Sequence, residues 1–351
     1  MHGCEPSTSS GRTNREQAMK ELYPWQTELW QRLNGLRSRL PHALLLKGAA
    51  GIGKLDLAMD YAQAILCESP LENGMACHQC PSCHWFAQES HPDFRLVQPE
   101  VLNESEDAEK ESGKKASSEI SVAQIRALAN FATLSSHAGG YRVILIHPAE
   151  AMNANSANAL LKTLEEPTDK LLFLLISHKP QQLLPTILSR CLSIAVPMPE
   201  VEQSSSWLKQ QGIADPANLL AQTGFAPLLA LQWAEEDEDV ETRKVLLDAV
   251  KSGKFDALAL AEKLQKSAPV QVVHCLQQWC YDLLSIKQAG KVRYFPQYLN
   301  SIENIARSLP LPALLKFLKD LQLARREATH PLNARLQFES LLLGYQQAFK
   351  N

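Results

Sequence analysis

No stretch of this 351-residue chain approaches the roughly 18 consecutive apolar residues that a membrane span requires. The N-terminus also lacks the apolar core of a secretory signal, so no export is expected. Neither sign of charge predominates: 35 Lys and Arg stand against 38 Asp and Glu, a net charge of −3. That average argues against a uniformly basic nucleic-acid binder. No internal repeat is present. Without a leader the chain is expected in a reducing cytoplasm, where its eight cysteines form no disulfide framework and clustered ones suggest a metal.

What the chain does contain is apolar material for several cores, 45% hydrophobic and 21% charged, at a length that predicts two or three domains. The near-neutral total also hides a split. Residues 241–351 carry 16 basic against 9 acidic side chains, a net +7, and the first 240 residues carry 19 against 29, a net −10. The organisation follows the same division. Residues 1–18 are polar and patternless and are read as a disordered extension. Residues 19–197 alternate apolar strands with helices, which predicts an α/β domain on a parallel sheet. Its strands are expected at Ala43–Leu46, Arg142–Ile146, Leu171–Ser177 and Leu192–Val196. Helices are expected over Tyr23–Leu40, Lys54–Cys67, Ile120–Leu134 and Ser156–Glu166, and residues 100–119 read as a solvated loop. Residues 198–240 read as a small helical domain, with the acidic run Glu235–Asp239 as a linker or solvated helix end. Residues 241–351 are helix-patterned throughout, with leucine-rich faces such as Leu314, Leu315, Phe317, Leu318 and Leu321.

Between the first strand and the following helix lies Gly48-Ala49-Ala50-Gly51-Ile52-Gly53-Lys54, a G-x-x-x-x-G-K phosphate loop in its proper context. Glycines let backbone N–H groups close around phosphate, the helix N-terminus favours negative charge, and Lys54 reaches the outer phosphates. Position 55, however, is leucine, which offers no oxygen to Mg²⁺ where a working loop has Ser or Thr. The strand Arg142–Ile146 ends in His147-Pro148 rather than in acidic residues, and Glu150 lies past the strand end. Two defects at one metal site argue against intrinsic ATP hydrolysis; nucleotide binding through Gly48, Gly51, Gly53 and Lys54 is left open.

Four cysteines read Cys67-x9-Cys77-x2-Cys80-x2-Cys83. Four thiolates in a reducing compartment suit a closed structural Zn²⁺ site with no open catalytic position. An iron–sulfur cluster and a redox pair are the alternatives. His78, His84 and His91 are read as bystanders, and Cys4, Cys191, Cys275 and Cys280 as unrelated to the cluster. A nucleic-acid-binding zinc module is a further reading, disfavoured because residues 60–95 are not strongly basic.

Two further runs carry a resemblance. Asn158-Ala159-Leu160-Leu161-Lys162-Thr163-Leu164-Glu165-Glu166-Pro167 and Thr186-Ile187-Leu188-Ser189-Arg190-Cys191 are similar to signatures of bacterial clamp-loader subunits of the AAA+ class. The cysteine cluster after the phosphate-loop helix belongs to the same pattern. The resemblance is strong from Tyr23 to about Val196 and continues in a fragment from Asn333 to Tyr345. It implies an AAA+ domain with an inserted zinc module, a small helical lid and a helical C-terminal collar. It also implies a five-subunit ring that opens a sliding clamp and places it on primed DNA. The expected partners are the ATPase subunits (gamma/tau), the delta subunit, the clamp indirectly, and DNA through the complex. Within that family the ATPase subunits keep the loop Ser/Thr and a strand-end Asp-Glu, and His147-Pro148 falls where that pair would stand. The chain therefore resembles a non-hydrolysing member, with an active ATPase subunit as the alternative. By the same resemblance Arg190 is expected to act in trans on a neighbour's ATP site, where a planar guanidinium meets charge on the γ-phosphate. A solvated surface arginine is the plain alternative. Lys162 and Glu165 fit an interface, a DNA contact or an ordinary amphipathic helix.

Overall fold

In this computed structural model the chain is described over residues 22–103, 116–133, 136–137, 139–235, 237–328 and 333–349. The N-terminal extension expected over 1–18 lies outside the described residues, as do residues 104–115 of the charged loop. The first helix, α1 (Thr27–Gly35), leads into β1 (Ala43–Lys47), the glycine loop and α2 (Lys54–Leu66). There follow α3 (Pro81–Ala87), β2 (Phe94–Val97), α4 (Glu100–Asn103), α5 (Val122–Thr133), β3 (Arg142–Ile146), α6 (Ala154–Glu165), β4 (Leu171–Ser177), α7 (Pro185–Leu188) and β5 (Leu192–Ala195). The rest is helical: α8 (Val201–Gln210), α9 (Pro216–Gln222), α10 (Pro227–Glu235), α11 (Asp237–Val250), α12 (Ala257–Leu264), α13 (Pro269–Ala289), α14 (Leu299–Ser308), α15 (Leu311–Glu327) and α16 (Ala334–Phe349).

The five strands form one sheet in the order β2-β3-β4-β1-β5. β2 pairs parallel with β3, Phe94 opposite Val143, and β3 pairs parallel with β4, Arg142 opposite Leu171. Every residue of β3 and β4 is buried, the near-continuous apolar run that a sheet covered on both faces demands. β1 sits between β4 and β5, away from its sequence neighbour β2. The loop after its carboxyl end is where open α/β sheets place their ligands.

Two local expectations are corrected. The helix expected over 23–40 breaks into α1 and short 3₁₀ turns at Pro24–Gln26 and Arg37–Arg39, because α1 ends at Gly35, a poor helix residue. Residues Glu100–Asn103 of the expected loop form α4. Of the two readings of the acidic run, the helix end is the one found: α10 ends at Glu235 and α11 begins at Asp237.

Contacts divide the chain into two compact units: Met1–Leu44 with Leu55–His147 and Ala151–Leu175, and Leu45–Lys54 with Pro148–Glu150 and Ile176–Asn351. In the first, the phenol of buried Tyr61 donates to the Leu33 carbonyl at 3.0 Å. Buried Arg142 donates to the Phe131 carbonyl at 2.6 Å and to Thr168 Oγ1 at 3.1 Å, so its charge enters the interior with partners. In the second, the helices from α11 onward enclose a core that includes Trp279, Phe295, Leu314, Phe317, Phe338 and Tyr345. Trp279 Nε1 donates to Tyr345 Oη at 2.9 Å, and Tyr345 Oη donates to the Val250 carbonyl at 3.3 Å. No helix among the described residues is long and apolar enough to cross a membrane.

One polar group anchors that helical core. Asp282 is fully buried, and its carboxylate accepts the backbone N–H groups of Arg293, Tyr294 and Phe295 at 2.8–3.1 Å. Removing it strands three backbone donors, that of Phe295 buried and those of Arg293 and Tyr294 part-buried, each worth roughly 1–3 kcal/mol when left without a partner. Asp282→Ala is therefore expected to lose about 3 kcal/mol or more of stability in urea denaturation. A loss of less than about 1 kcal/mol would show that the 293–295 turn finds other acceptors.

Candidate functional site

The phosphate loop is fixed by backbone contact on both flanks. Gly48 N–H donates to the Ser177 carbonyl at the end of β4, and Val196 N–H donates to the Lys47 carbonyl. A Cβ on Gly48 would stand 2.5 Å from the Val196 carbonyl oxygen, so no other residue fits there. Gly51 has φ +72, and a Cβ on it would stand 2.8 Å from Leu229 Cβ. Its carbonyl accepts Leu228 N–H at 3.0 Å. The first turn of α10 thus lies on the loop itself.

Lys54 is 2% exposed, and its ammonium donates to the Gly48 carbonyl at 2.9 Å and to the Ala49 carbonyl. Burial lowers its pKa to about 8, and the Glu150 carboxylate opposes that shift. Glu150 Oε1 accepts the N–H groups of His178 (2.9 Å) and Lys179 (3.1 Å), which ties the turn after β3 to the end of β4. Leu55 is half-buried and brings only carbon. His147, where a metal-binding carboxylate was lacking in the sequence, has its Nδ1 2.9 Å from Gln98 Nε2. The structure therefore brings Gly48, Gly51, Gly53 and Lys54 together as one loop whose lysine is engaged by the loop's own carbonyls.

Arg190 follows α7, part exposed, with Nη1 donating to the Thr186 carbonyl at 2.8 Å and to Ser189 Oγ at 3.3 Å. Both acceptors belong to its own Thr-x-x-Ser-Arg turn, so the guanidinium itself is held against that turn.

The four cysteines form the other centre. Their Sγ atoms all lie within 4.8 Å of one another, with Cys67–Cys77 at 3.5 Å, Cys67–Cys80 at 3.9 Å and Cys77–Cys83 at 4.0 Å. A tetrahedral Zn²⁺ with Zn–S bonds of about 2.3 Å separates its sulfurs by about 3.8 Å. The donor set and spacing fit a metal of that kind. Backbone N–H groups point at the sulfurs, Cys77 to Cys67 (3.3 Å), Cys80 to Cys77 (3.4 Å) and Cys83 to Cys80 (3.5 Å), outer-shell donors of the type that favour thiolates. Cys80 is thereby the N-cap of α3. The Cys77 thiol is lowered to about 6, chiefly by the Gln79 backbone N–H, whereas burial pushes Cys67 and Cys83 up. None of the three nearby histidines joins the metal-capable group among the described residues. Buried His91 instead contacts Ser82 Oγ through Nε2 at 2.8 Å and accepts Asp93 N–H on Nδ1 at 3.0 Å. Ser82 Oγ donates to the Leu66 carbonyl, so this Ser-His pair is a structural tie and not a nucleophile with its base.

Two participants escape a reading of the sequence: the Leu228–Leu229 turn on Gly51, and the attachment of Glu150 to residues 178 and 179. No motif marks either. Both are contacts between segments far apart in the chain, and Glu150 showed only its proximity to the strand end.

Comparison with known proteins adds a family. The model described as DNA polymerase III, delta subunit matches residues 25–200, and the one described as DNA polymerase III, delta subunit, C terminal matches residues 237–347. The chain is 44% identical over 216 residues to DNA polymerase III subunit delta' of Pseudomonas aeruginosa, which covers 60% of this chain and 61% of that protein. Its match to the Yersinia pestis subunit delta' is 29% identical over 343 residues, 93% of this chain and 96% of the relative. The Haemophilus influenzae subunit delta' is 30% identical over 320 residues, 88% and 91%. A solved Thermotoga maritima structure, described as a DNA polymerase III gamma subunit-related protein, aligns at 16% identity with a TM-score of 0.44 over 93% of this chain and all of that one.

Two outcomes are expected. Elemental analysis of protein purified under reduction should find about one zinc per chain, and Cys80→Ser should lose it and lower the melting temperature; iron, or an empty site, overturns the zinc assignment. Lys54 sets a pH dependence. Its folded pKa of about 8 lies below the unfolded value of 10.5, so between those pH values the unfolded chain binds more protons and stability rises with pH. The burial penalty is fully present below pH 8 and gone above 10.5. Relative to Lys54→Met, wild type should gain up to about 3 kcal/mol across that window; parallel stability profiles for the two proteins would refute the buried ammonium.

Proposed function

This chain belongs to the DNA polymerase III delta' family, and from that premise we propose that it is the non-hydrolysing stator of a clamp loader. It assembles in the cytoplasm with ATPase subunits (gamma/tau) and the delta subunit in a five-membered ring. There it supports loading of the sliding clamp onto primed DNA during replication. In this reading residues 19–197 are the AAA+ domain, 198–240 the lid and 241–351 the collar, and the four cysteines hold a structural zinc.

The observation that carries the proposal is the closed state of the phosphate loop. Lys54, whose ammonium would meet the outer phosphates, is engaged by Gly48 and Ala49, and Leu228 and Leu229 lie against Gly51. Leu55 supplies no Mg²⁺ ligand, and His147 is turned to Gln98. A Mg²⁺ ion demands near-ideal octahedral oxygen ligands, and neither substituted position offers one. Binding energy at such a loop holds the domain together without driving turnover. The intact Gly53-Lys54 pair favours a second reading, an active ATPase subunit.

Arg190 is then assigned to the neighbouring ATP site, where an arginine in trans contributes ~10³–10⁵ in rate. Its anchorage to Thr186 and Ser189 supports a guanidinium held at a fixed place on the surface.

The isolated chain is expected to show no ATP turnover above background; robust turnover that Lys54→Ala abolishes would establish the second reading instead. In the reconstituted complex Arg190→Ala should leave assembly intact and slow hydrolysis at the one site it faces by about 10³-fold. The steady-state rate with clamp and DNA then falls by that site's share. An unchanged rate removes the trans role.

A further inference from the structure

Helices α15 and α16 pack their inner faces into the helical core through Leu314, Phe317, Leu321, Phe338, Leu342 and Tyr345. On the outside they leave a groove of about 700 Å³ between them. Three leucines on its walls are open to water: Leu323 at 58%, Leu336 at 62% and Leu343 at 42% exposure. An apolar groove with several exposed leucines marks a place where something docks. The spacing says what shape it takes. Leu336 and Leu343 lie seven residues apart on α16, and Asp320, Leu323 and Glu327 lie at i, i+3 and i+7 on α15, so each helix offers one stripe along the groove. Two parallel stripes flanking a trough receive a helix.

Two more observations define the occupant. Gly344 sits within α16, where glycine is the least favourable residue after proline, and its φ is not in the left-handed region. A Cβ there would meet only the Phe317 ring, at an ordinary 3.5 Å. Neither backbone conformation nor a core clash requires glycine, and its effect is to keep the groove floor deep. The charges are equally selective. In a half of the chain that carries a net +7, the only charged side chains lining the groove among the described residues are the carboxylates Asp320 and Glu327. Neither takes part in an ion pair among the described residues. A second copy docking groove to groove would bring these carboxylates together, which disfavours self-association.

We propose that this groove receives an amphipathic, basic helix of a neighbouring clamp-loader subunit, with leucine-type side chains against Leu323, Leu336 and Leu343 and a lysine or arginine facing Asp320 and Glu327. The inference rests on the stator reading and names the surface through which the chain joins the ring.

The test measures binding of the full-length chain to purified ATPase (gamma/tau) and delta subunits by surface plasmon resonance and sedimentation. Wild type is compared with Leu336→Asp, Leu323→Asp and the milder Glu327→Lys, whose melting curves should match wild type because all three positions are solvent-exposed. The aspartate variants are expected to weaken assembly at least 100-fold. Glu327→Lys should weaken it about tenfold at low salt and less at high salt. If wild type assembles and all three variants assemble equally well, the groove inference is overturned while the stator reading stands. If wild type does not assemble with these subunits, both fall. If the chain alone sediments as a dimer that Leu336→Asp dissolves, the groove is a self-interface and the proposal is overturned.

Discussion

The close approach of backbone to backbone at Gly48 and Gly51 is the constraint on which the rest depends. Gly48 is pinned between Ser177 and Val196, at a distance that admits no side chain. That contact fixes the end of β1 against its neighbours in the sheet and sets the path of the loop. The loop in turn presents the Gly51 carbonyl to Leu228 and so holds the first turn of α10. Lys54 completes the arrangement from within: a buried ammonium is tolerated because two loop carbonyls and the nearby Glu150 carboxylate compensate it. A loop with the glycines of a phosphate cradle thus acts here as a structural joint.

The cysteine centre solves a different problem with the same economy. Residues 67–83 contain only the start of α3 and little apolar material, too little for a core of their own. Four clustered thiols fitted to a metal stand where that core would be, three of them, Cys67, Cys77 and Cys80, oriented by the backbone N–H of the next cysteine. The module is then tied to the domain by Ser82, which donates to the Leu66 carbonyl and is contacted by His91.

Much of this was legible before any coordinates. β1, β3 and β4 are continuous apolar runs because both faces of the sheet are covered, and the sequence shows them directly. β2 is not legible because it is an edge strand of four residues whose middle pair, Arg95 and Leu96, is exposed and whose one buried residue stands at its end, which leaves no pattern. The leucine face of α15 was legible as a helix but not as a surface. Leu314, Phe317 and Leu321 go inward, and Leu315 stays 43% exposed. At the site, the glycines, Lys54, Leu55 and the four cysteines announce themselves by type and spacing. The contacts that close the loop do not, because Leu228 and Glu150 reach it from segments about 175 and 95 residues away along the chain, and apolar or acidic residues at such positions are common.

Several of the chain's ionic groups have their partners inside the fold. Asp282 spends its charge on three backbone donors, Arg142 on a carbonyl and a hydroxyl, and Lys54 on its own loop. Each of these holds segments rigid that local propensity leaves loose. Other charges lie at the surface: Arg190 on a turn whose Thr186 carbonyl and Ser189 hydroxyl it engages, and Asp320 with Glu327 in a trough on an otherwise basic half. The net charge of −3 therefore carries little meaning of its own. What matters is that charges with internal partners build the frame, while the basic excess of the helical half is interrupted by two carboxylates set in one trough.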